Sequence, residues 1–161
     1  TVEALRRTIG EYKGFLYGGF MSTDSGIYLI EYNARLGDPE AINVLSLLET
    51  SLITLREEIV YGKLSRPKFK RDATVCVYLV PKGYPENSMK DQPITVGELH
   101  HSEALYASVY EDAGVIKTTS SRAIALLAHG NSVAEARRHV YSDIQAVHGV
   151  LFYRNDIAAN I

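Results

Sequence analysis

Leu29-Ile30-Glu31-Tyr32-Asn33-Ala34-Arg35-Leu36-Gly37-Asp38-Pro39-Glu40 is the stretch on which the reading of this chain turns. Its opening residues form a short apolar and aromatic run, and alternate side chains of a strand share a face. Glu31 and Asn33 therefore project together, while Ile30 and Tyr32 are expected to turn the other way into a core. A carboxylate and an amide carbonyl are hard oxygen donors of the kind Mg²⁺ takes alongside phosphates and water. Arg35 follows two residues later, and its planar fork of donors suits a carboxylate or phosphate beside such an ion. Asp38 is expected as an N-cap and Pro39 as the first helical residue, leaving a helix N-terminus that can also take an anion. By spacing alone, Glu-x-Asn-x-Arg at a strand end is more often a solvated edge, and Asp-Pro-Glu starts a helix without any further role. Spacing leaves both readings open.

Outward from this segment, Val2, Leu5, Ile9 and Tyr12 fall at helical intervals. Phe15 to Met21 and Ile27 to Tyr32 are β-type runs separated by Thr23-Asp24-Ser25-Gly26, which reads as a hairpin. Ile42, Leu45 and Leu48 run down one helix, and Leu52, Leu55, Ile59 and Val60 down a second that ends near Gly62. The polar, Pro-containing Ser65-Arg66-Pro67-Lys68 marks a boundary, giving domains over 1–65 and 66–161. Beyond it, residues 73–80 are β-branched and end at Pro81; further strands are expected over 104–110, 114–117 and 123–128. Ser132 and Glu135 stand at capping-box spacing before a helix with Val133, Ala136, Val140, Ile144 and Val147 on one face. Strands followed by a helix predict an α+β domain with an antiparallel sheet.

Bulk properties narrow the field. The formal charge of −2 and pI of about 6.2 give no electrostatic reason to expect nucleic acid or an anionic membrane as partner. No apolar run approaches the roughly 20 residues that cross a bilayer. The lone Cys76 cannot form an intramolecular disulfide, and in an apolar strand a buried, inert thiol is expected; this favours a reducing, cytoplasmic setting. The chain opens on Thr1 inside a helical pattern, which reads as an internal start. His100 and His101, if in a strand, face opposite ways and suit no shared metal; one is expected exposed and one packed. His129, His139 and His148, read at a strand end and on the last helix, lack ligand spacing. The tyrosines are scattered and form no platform for stacked bases.

Tyr12-Lys13-Gly14-Phe15-Leu16-Tyr17-Gly18-Gly19-Phe20-Met21 together with residues 30–40 resembles the signature region of glycinamide ribonucleotide synthetases, members of the ATP-grasp superfamily. The Glu-x-Asn-x-Arg pattern is shared by many ATP-grasp enzymes, and the following Gly-Asp-Pro-Glu separates this family from carboxylases and other relatives. Lys82-Gly83-Tyr84-Pro85 resembles the family's Gly-Tyr-Pro loop, and Tyr153-Arg154-Asn155-Asp156-Ile157 its C-terminal Arg-x-Asp-Ile motif. The resemblance implies the C-terminal portion of an ATP-grasp domain over 1–65, a small sheet-plus-helix C-terminal domain over 66–161, and a further N-terminal part of the same chain. It implies Mg²⁺ or Mn²⁺ on Glu31 and Asn33, Arg35 beside the reacting carboxylate, and Gly37, Asp38 and Pro39 in the amine-substrate loop. The implied reaction joins 5-phosphoribosylamine to glycine with ATP, through glycyl phosphate, and the chain alone is expected to be inactive. Where many members carry His-Ala-Gly-Thr and Gly-Gly-Arg-Val, this chain has His100-His101-Ser102-Glu103 and Ser120-Ser121-Arg122-Ala123. His100 and His101 thus receive no role, and Arg122 is a candidate substrate contact beside the commoner reading of a structural arginine. The competing readings are another ATP-grasp ligase or carboxylase and a non-catalytic binding module. An ATP-grasp domain cut at this point is expected to expose an apolar face and to self-associate.

Overall fold

A computed structural model describes residues Thr1–Ile161 as two compact units, Thr1–Lys70 and Arg71–Ile161. The first begins with α1 (Val2–Thr8), shorter than the pattern to Tyr12 predicts: the chain leaves the helix at Ile9 and turns at Gly10 with φ of +97°. Strands β1 (Tyr17–Thr23) and β2 (Gly26–Asn33) pair antiparallel from Tyr17↔Asn33 to Thr23↔Gly26, with a bulge at Gly19/Phe20. Two helices follow, α2 (Glu40–Leu47) and α3 (Leu52–Tyr61). The latter starts on Ser51, whose hydroxyl accepts from the Thr54 N–H. It stops at Gly62, whose left-handed φ of 66° lets Lys63 N–H close back on the Glu58 carbonyl at 2.9 Å.

Little of this unit is buried, and Leu55 is its one buried hydrophobic side chain. Ile30 and Tyr32 do not enter a core as the alternation predicts; they are 62% and 41% exposed. The alternation holds, but the hairpin is a sheet of two strands with no layer of this unit packed on either face. Phe20, Met21, Ile27 and Leu29 are exposed as well. The segment after Arg66 stays with the first unit because Leu48 bridges Phe69, Glu49 N–H donates to the Lys68 carbonyl and Lys70 N–H to that of Leu47.

The second unit holds the apolar core. Its strands are β3 (Ala73–Pro81), β4 (Pro93–Val96), β5 (Ser102–Tyr106), β6 (Val109–Asp112), β7 (Val115–Thr118), β8 (Ile124–Gly130), β9 (Val147–Gly149) and β10 (Leu151–Phe152). They form two antiparallel sheets of four, ordered β10-β3-β8-β5 and β6-β7-β4-β9. Val75, Val77 and Leu79 alternate along β3 to meet Ile124, Leu126 and Ala128 of β8, and the pair is covered by Ala136 and Val140 of α4 (Val133–Asp143) and Ile144 beyond it. Full burial of side chains such as Leu126 and Ile144 stabilises by roughly 1.5–3 kcal/mol each. The Ser132 hydroxyl accepts from Glu135 N–H as the capping box predicts, and the Glu135 carboxylate accepts from Asn131 N–H at 2.7 Å.

The architecture is α+β, and the differences from the sequence reading are local. The strand expected over 104–110 is two strands in different sheets. At the break, Ala107 N–H goes to the Ala123 carbonyl and Ser108 N–H to that of Arg122, so the chain leaves one ladder and enters the other. Val147 does not extend the last helix; residues Ile144–Ala146 tighten into a 3₁₀ turn, and Val147 and His148 belong to β9. No helix is long and apolar enough to cross a membrane.

Candidate functional site

In the first unit the residues of interest sit where β2 runs into α2. The period of the strand puts Glu31 and Asn33 on one face, and their side chains meet: Asn33 Nδ2 donates to Glu31 Oε1 at 2.8 Å. Both stand at the open end of the hairpin, Asn33 opposite Tyr17 and Glu31 opposite Gly19. This is a pair of hard oxygen donors with room around it. No group of three or more His, Cys, Asp and Glu side chains converges anywhere in the chain. A cation held here would therefore draw its other ligands from substrate phosphates and water, which is the habit of Mg²⁺.

Beyond Asn33, Arg35 is exposed and its Nη1 donates to the Leu36 carbonyl at 2.8 Å, so the guanidinium lies along its own loop. Asp38 does not cap α2. Pro39 occupies the cap position with φ of −93° and ψ of 0°, no side chain caps the helix, and the Asp38–Pro39 peptide is cis. The first-turn N–H groups of Ala41 and Ile42 go instead to the carbonyls of Gly37 and Pro39, each at 2.9 Å. These bonds draw the loop tightly against the helix start and bury Gly37. A Cβ there would meet the Glu40 carboxylate and stand 3.0 Å from the Tyr17 ring.

Two residues without an assigned role enter the site through that contact. The Tyr17 phenol donates to the Glu40 carboxylate; this bond first, then burial, then the charges of Glu40 and Glu31 raise its pKa above the usual tyrosine value. Tyr17 thus spans from the Glu31–Asn33 pair on β2 to the start of α2. The sequence carried no direct signal for it, since only the hairpin register places Tyr17 opposite Asn33.

In the second unit, Arg122 lies just before β8 with its guanidinium carbon 4.9 Å from the centre of the Tyr78 ring on β3. The Lys82-Gly83-Tyr84-Pro85 loop leaves β3 beside it, with Tyr84–Pro85 cis, and Ser88 Oγ donates to the Ser120 carbonyl at 2.8 Å, tying the two loops together. The Tyr153–Ile157 segment is held to α4: Arg137 donates to the carbonyls of Asn155 and Ile157, and Tyr141 to that of Arg154. Within it, Arg154 clasps Asp156 through two bonds of 2.9 and 2.6 Å.

The histidines follow a different course from the one predicted. His100 and His101 lie in a bend before β5, both exposed, and the His101 ring stacks on His139 of α4 at 4.4 Å. Their backbone N–H groups, not their rings, do the structural work: both donate to the buried carboxylate of Asp143, at 3.3 and 2.7 Å. Burial raises the Asp143 pKa, but hydrogen bonds from backbone N–H groups, those of His101 and His100 first, carry it below the usual aspartate value. Cys76 is buried, as its apolar strand predicts.

Family models match most of the chain. Residues 74–160 match "Phosphoribosylglycinamide synthetase, C domain", and residues 1–41 match "Phosphoribosylglycinamide synthetase, ATP-grasp (A) domain". Over 98% of its length the chain is 46% identical to a phosphoribosylamine–glycine ligase of Methanosarcina barkeri and 48% identical to one of Thermococcus gammatolerans. It spans 37% and 36% of those two relatives. The crystal structure of the phosphoribosylamine–glycine ligase of Thermotoga maritima superposes with a TM-score of 0.83 at 33% identity, covering 96% of this chain and 39% of that one. The biotin carboxylase domain of the Hydrogenobacter thermophilus 2-oxoglutarate carboxylase superposes with a TM-score of 0.59 over 92% of this chain and 34% of its own. At 15% identity it shares the fold alone.

Proposed function

The chain belongs to the phosphoribosylglycinamide synthetase family, and on that premise we propose that it supplies part of an ATP-dependent ligase joining 5-phosphoribosylamine to glycine. In this reading the first unit, Thr1–Lys70, is the closing portion of the ATP-grasp domain and the second, Arg71–Ile161, is the C-terminal domain. What supports this reading most directly is the Glu31–Asn33 contact of 2.8 Å at the strand end that runs into Gly37-Asp38-Pro39-Glu40.

In the proposed reaction a glycine carboxylate oxygen attacks the γ-phosphorus of ATP and ADP departs. The amine of phosphoribosylamine then attacks the carbonyl of glycyl phosphate, and inorganic phosphate leaves as the amide forms. Mg²⁺ or Mn²⁺ bound with the nucleotide would offset phosphate charge during the first transfer. Glu31 and Asn33 offer that ion two oxygen donors. Arg35, released from the Leu36 carbonyl, offers a guanidinium to the oxygen that gains charge at the reacting carbonyl. Gly37, Asp38 and Pro39 shape the amine-substrate loop, with Tyr17 and Glu40 fixing its position, and Arg122 is a further substrate-binding residue. The exposed apolar hairpin suits a surface covered by the rest of such a ligase, and in isolation it favours self-association. The one cysteine is buried and forms no disulfide, which is compatible with the cytoplasm.

The full-length protein carrying this chain is expected to release ADP only when ATP, Mg²⁺, glycine and phosphoribosylamine are all supplied. Glu31→Gln should shift the Mg²⁺ concentration for half-maximal rate upward by about tenfold, the loss of roughly 1.4 kcal/mol of ion binding. An unchanged Mg²⁺ titration removes the metal-ligand role. ADP release that depends on a different carboxylate or amine retains the ATP-grasp chemistry and discards these substrates.

A further inference from the structure

Gly19 lies on β1 directly opposite Glu31, two residues in from the Tyr17–Asn33 pair at the open end of the hairpin. Tyr17 and Gly19 are two apart on one strand, and Glu31 and Asn33 two apart on the other, so all four share a face. A Cβ built on Gly19 would accordingly stand 3.5 Å from Glu31 Cγ and 3.8 Å from Tyr17 Cε1. Nothing local calls for a glycine there. Its φ lies outside the left-handed region, and the bulge beside it takes its extra residue, Ile30, from β2. The nearest atoms to such a Cβ are at ordinary contact distance, so packing within the hairpin does not exclude a side chain either. Gly18 differs, since a Cβ there would stand 2.7 Å from the Phe20 ring and 3.1 Å from that of Tyr32. A glycine inside a strand costs stability relative to alanine. Where neither backbone conformation nor packing needs it, the open space above it is the feature to explain, and close approach of a ligand is the usual reason.

We propose that Gly19 keeps the floor of the metal site open, so that phosphates carried by the ion on Glu31 and Asn33 lie against the β1 backbone beside Glu31. This rests on the reading that Glu31 and Asn33 hold the ion. Two protein donors leave most of an octahedral shell to phosphate oxygens and water, and these need room next to the strand. A side chain at position 19 would project into the face from which both donors reach the ion. Charge selects the form in which the nucleotide enters. The carboxylates of Glu31 and Glu40 both act on the Tyr17 phenol, so they stand close around this face. Together they disfavour a bare polyphosphate and favour one that arrives with its cation.

The test uses the full-length protein and two readouts: the Tm without ligands, and the binding of Mn²⁺ with ATP by calorimetry. Gly19→Ala should weaken Mn²⁺–ATP binding by about tenfold, as a methyl group intrudes on filled space. Its ligand-free Tm should be unchanged or up to about 4 °C higher, because alanine suits a strand better than glycine. A glycine needed only by the fold would lose stability and binding together. Gly18→Ala, whose Cβ faces Phe20 and Tyr32 instead, should bind Mn²⁺–ATP as the parent does, and Glu31→Gln reports on the site itself. If Glu31→Gln weakens binding while Gly19→Ala binds as the parent does, the role of Gly19 is overturned and the metal site stands. A Gly19→Ala protein that fails to fold, or melts lower than the parent, overturns it too, since the glycine then serves the hairpin. So does a Gly18→Ala protein that melts as the parent does yet binds as weakly as Gly19→Ala. If Glu31→Gln leaves binding unchanged, the metal reading fails first and takes the proposal with it.

Discussion

Asp143 offers the sharpest test of how the second unit is held together. Its carboxylate is 4% exposed and accepts the N–H groups of His100 and His101, fixing the bend that leads into β5 against the end of α4. Hydrogen bonds to a charged acceptor are worth roughly 1.5–3 kcal/mol each, and desolvating the carboxylate takes part of that back. Asn at this position keeps the shape but has only one accepting oxygen and turns its NH₂ toward a donor. Asp143→Asn is therefore expected to destabilise the unit by about 2 kcal/mol, lowering its Tm by roughly 8–16 °C for a domain of this size. The sign of the pH dependence follows from the lowered pKa. Stability contributed by a carboxylate whose folded pKa lies below its unfolded value is complete above that unfolded value, about 3.9, and is lost as pH falls through the folded one. The gap between parent and variant should thus be full at pH 7 and shrink below pH 4. Scanning calorimetry of both proteins across pH 3–7 measures it. A gap that is absent at pH 7, or that persists unchanged at pH 3, refutes the assignment of the stabilisation to the charged carboxylate.

Two further substitutions probe the same region. Ser132→Ala removes the side-chain acceptor for Glu135 N–H and is expected to cost about 1 kcal/mol, seen as a Tm lower by roughly 4–8 °C; an unchanged Tm means water replaces the cap without loss. At Gly130 a Cβ would stand 2.6 Å from the backbone nitrogen of Ala136, which cannot swing aside as a side chain can. Gly130→Ala should destabilise by about 1–3 kcal/mol in chemical denaturation, and a neutral result would show that the turn into α4 yields more easily than its hydrogen bonds suggest.

Where the sequence was legible, local rules and tertiary packing agreed. The run Ala73–Val80 forms a strand because β-branched residues alternate into a core that exists, and Ser132 starts a helix because its hydroxyl has a free N–H to cap. The readings that failed assumed a partner for the pattern. Ile30 and Tyr32 alternate correctly, but no second layer of the unit meets them. Asp38 has the chemistry of a cap, yet the carbonyls of Gly37 and Pro39 take the helix's first N–H groups before it can. The short strands β4, β9 and β10, of four, three and two residues, left no signal because so few positions show no period. Asp143 was invisible for a related reason: it lies on a helix 42 residues from one of its partners, and those partners are backbone groups that no residue type announces.

The same distinction separates the candidate residues from one another. Glu31, Asn33, Gly37 and Glu40 fall within ten residues, so strand period and a turn bring them together, and their pattern could be read from the chain. Tyr17 and Tyr78 reach their partners only through strand pairing, Tyr17 across a hairpin and Tyr78 across β3 and β8. In both cases an aromatic side chain on a strand meets a charged or ionisable group beyond the strand it pairs with: Tyr17 by a hydrogen bond to Glu40 at the start of α2, Tyr78 through the face of its ring to Arg122 before β8. A strand holds a side chain's direction more firmly than a loop does, because the ladder fixes its backbone. The proposed substrate contacts Arg35, Gly37, Asp38 and Arg122 lie on loops, and the two tyrosines lie on strands beside them. That division predicts where positioning residues of this family would be found: on the strand beside the loop, with no motif of their own.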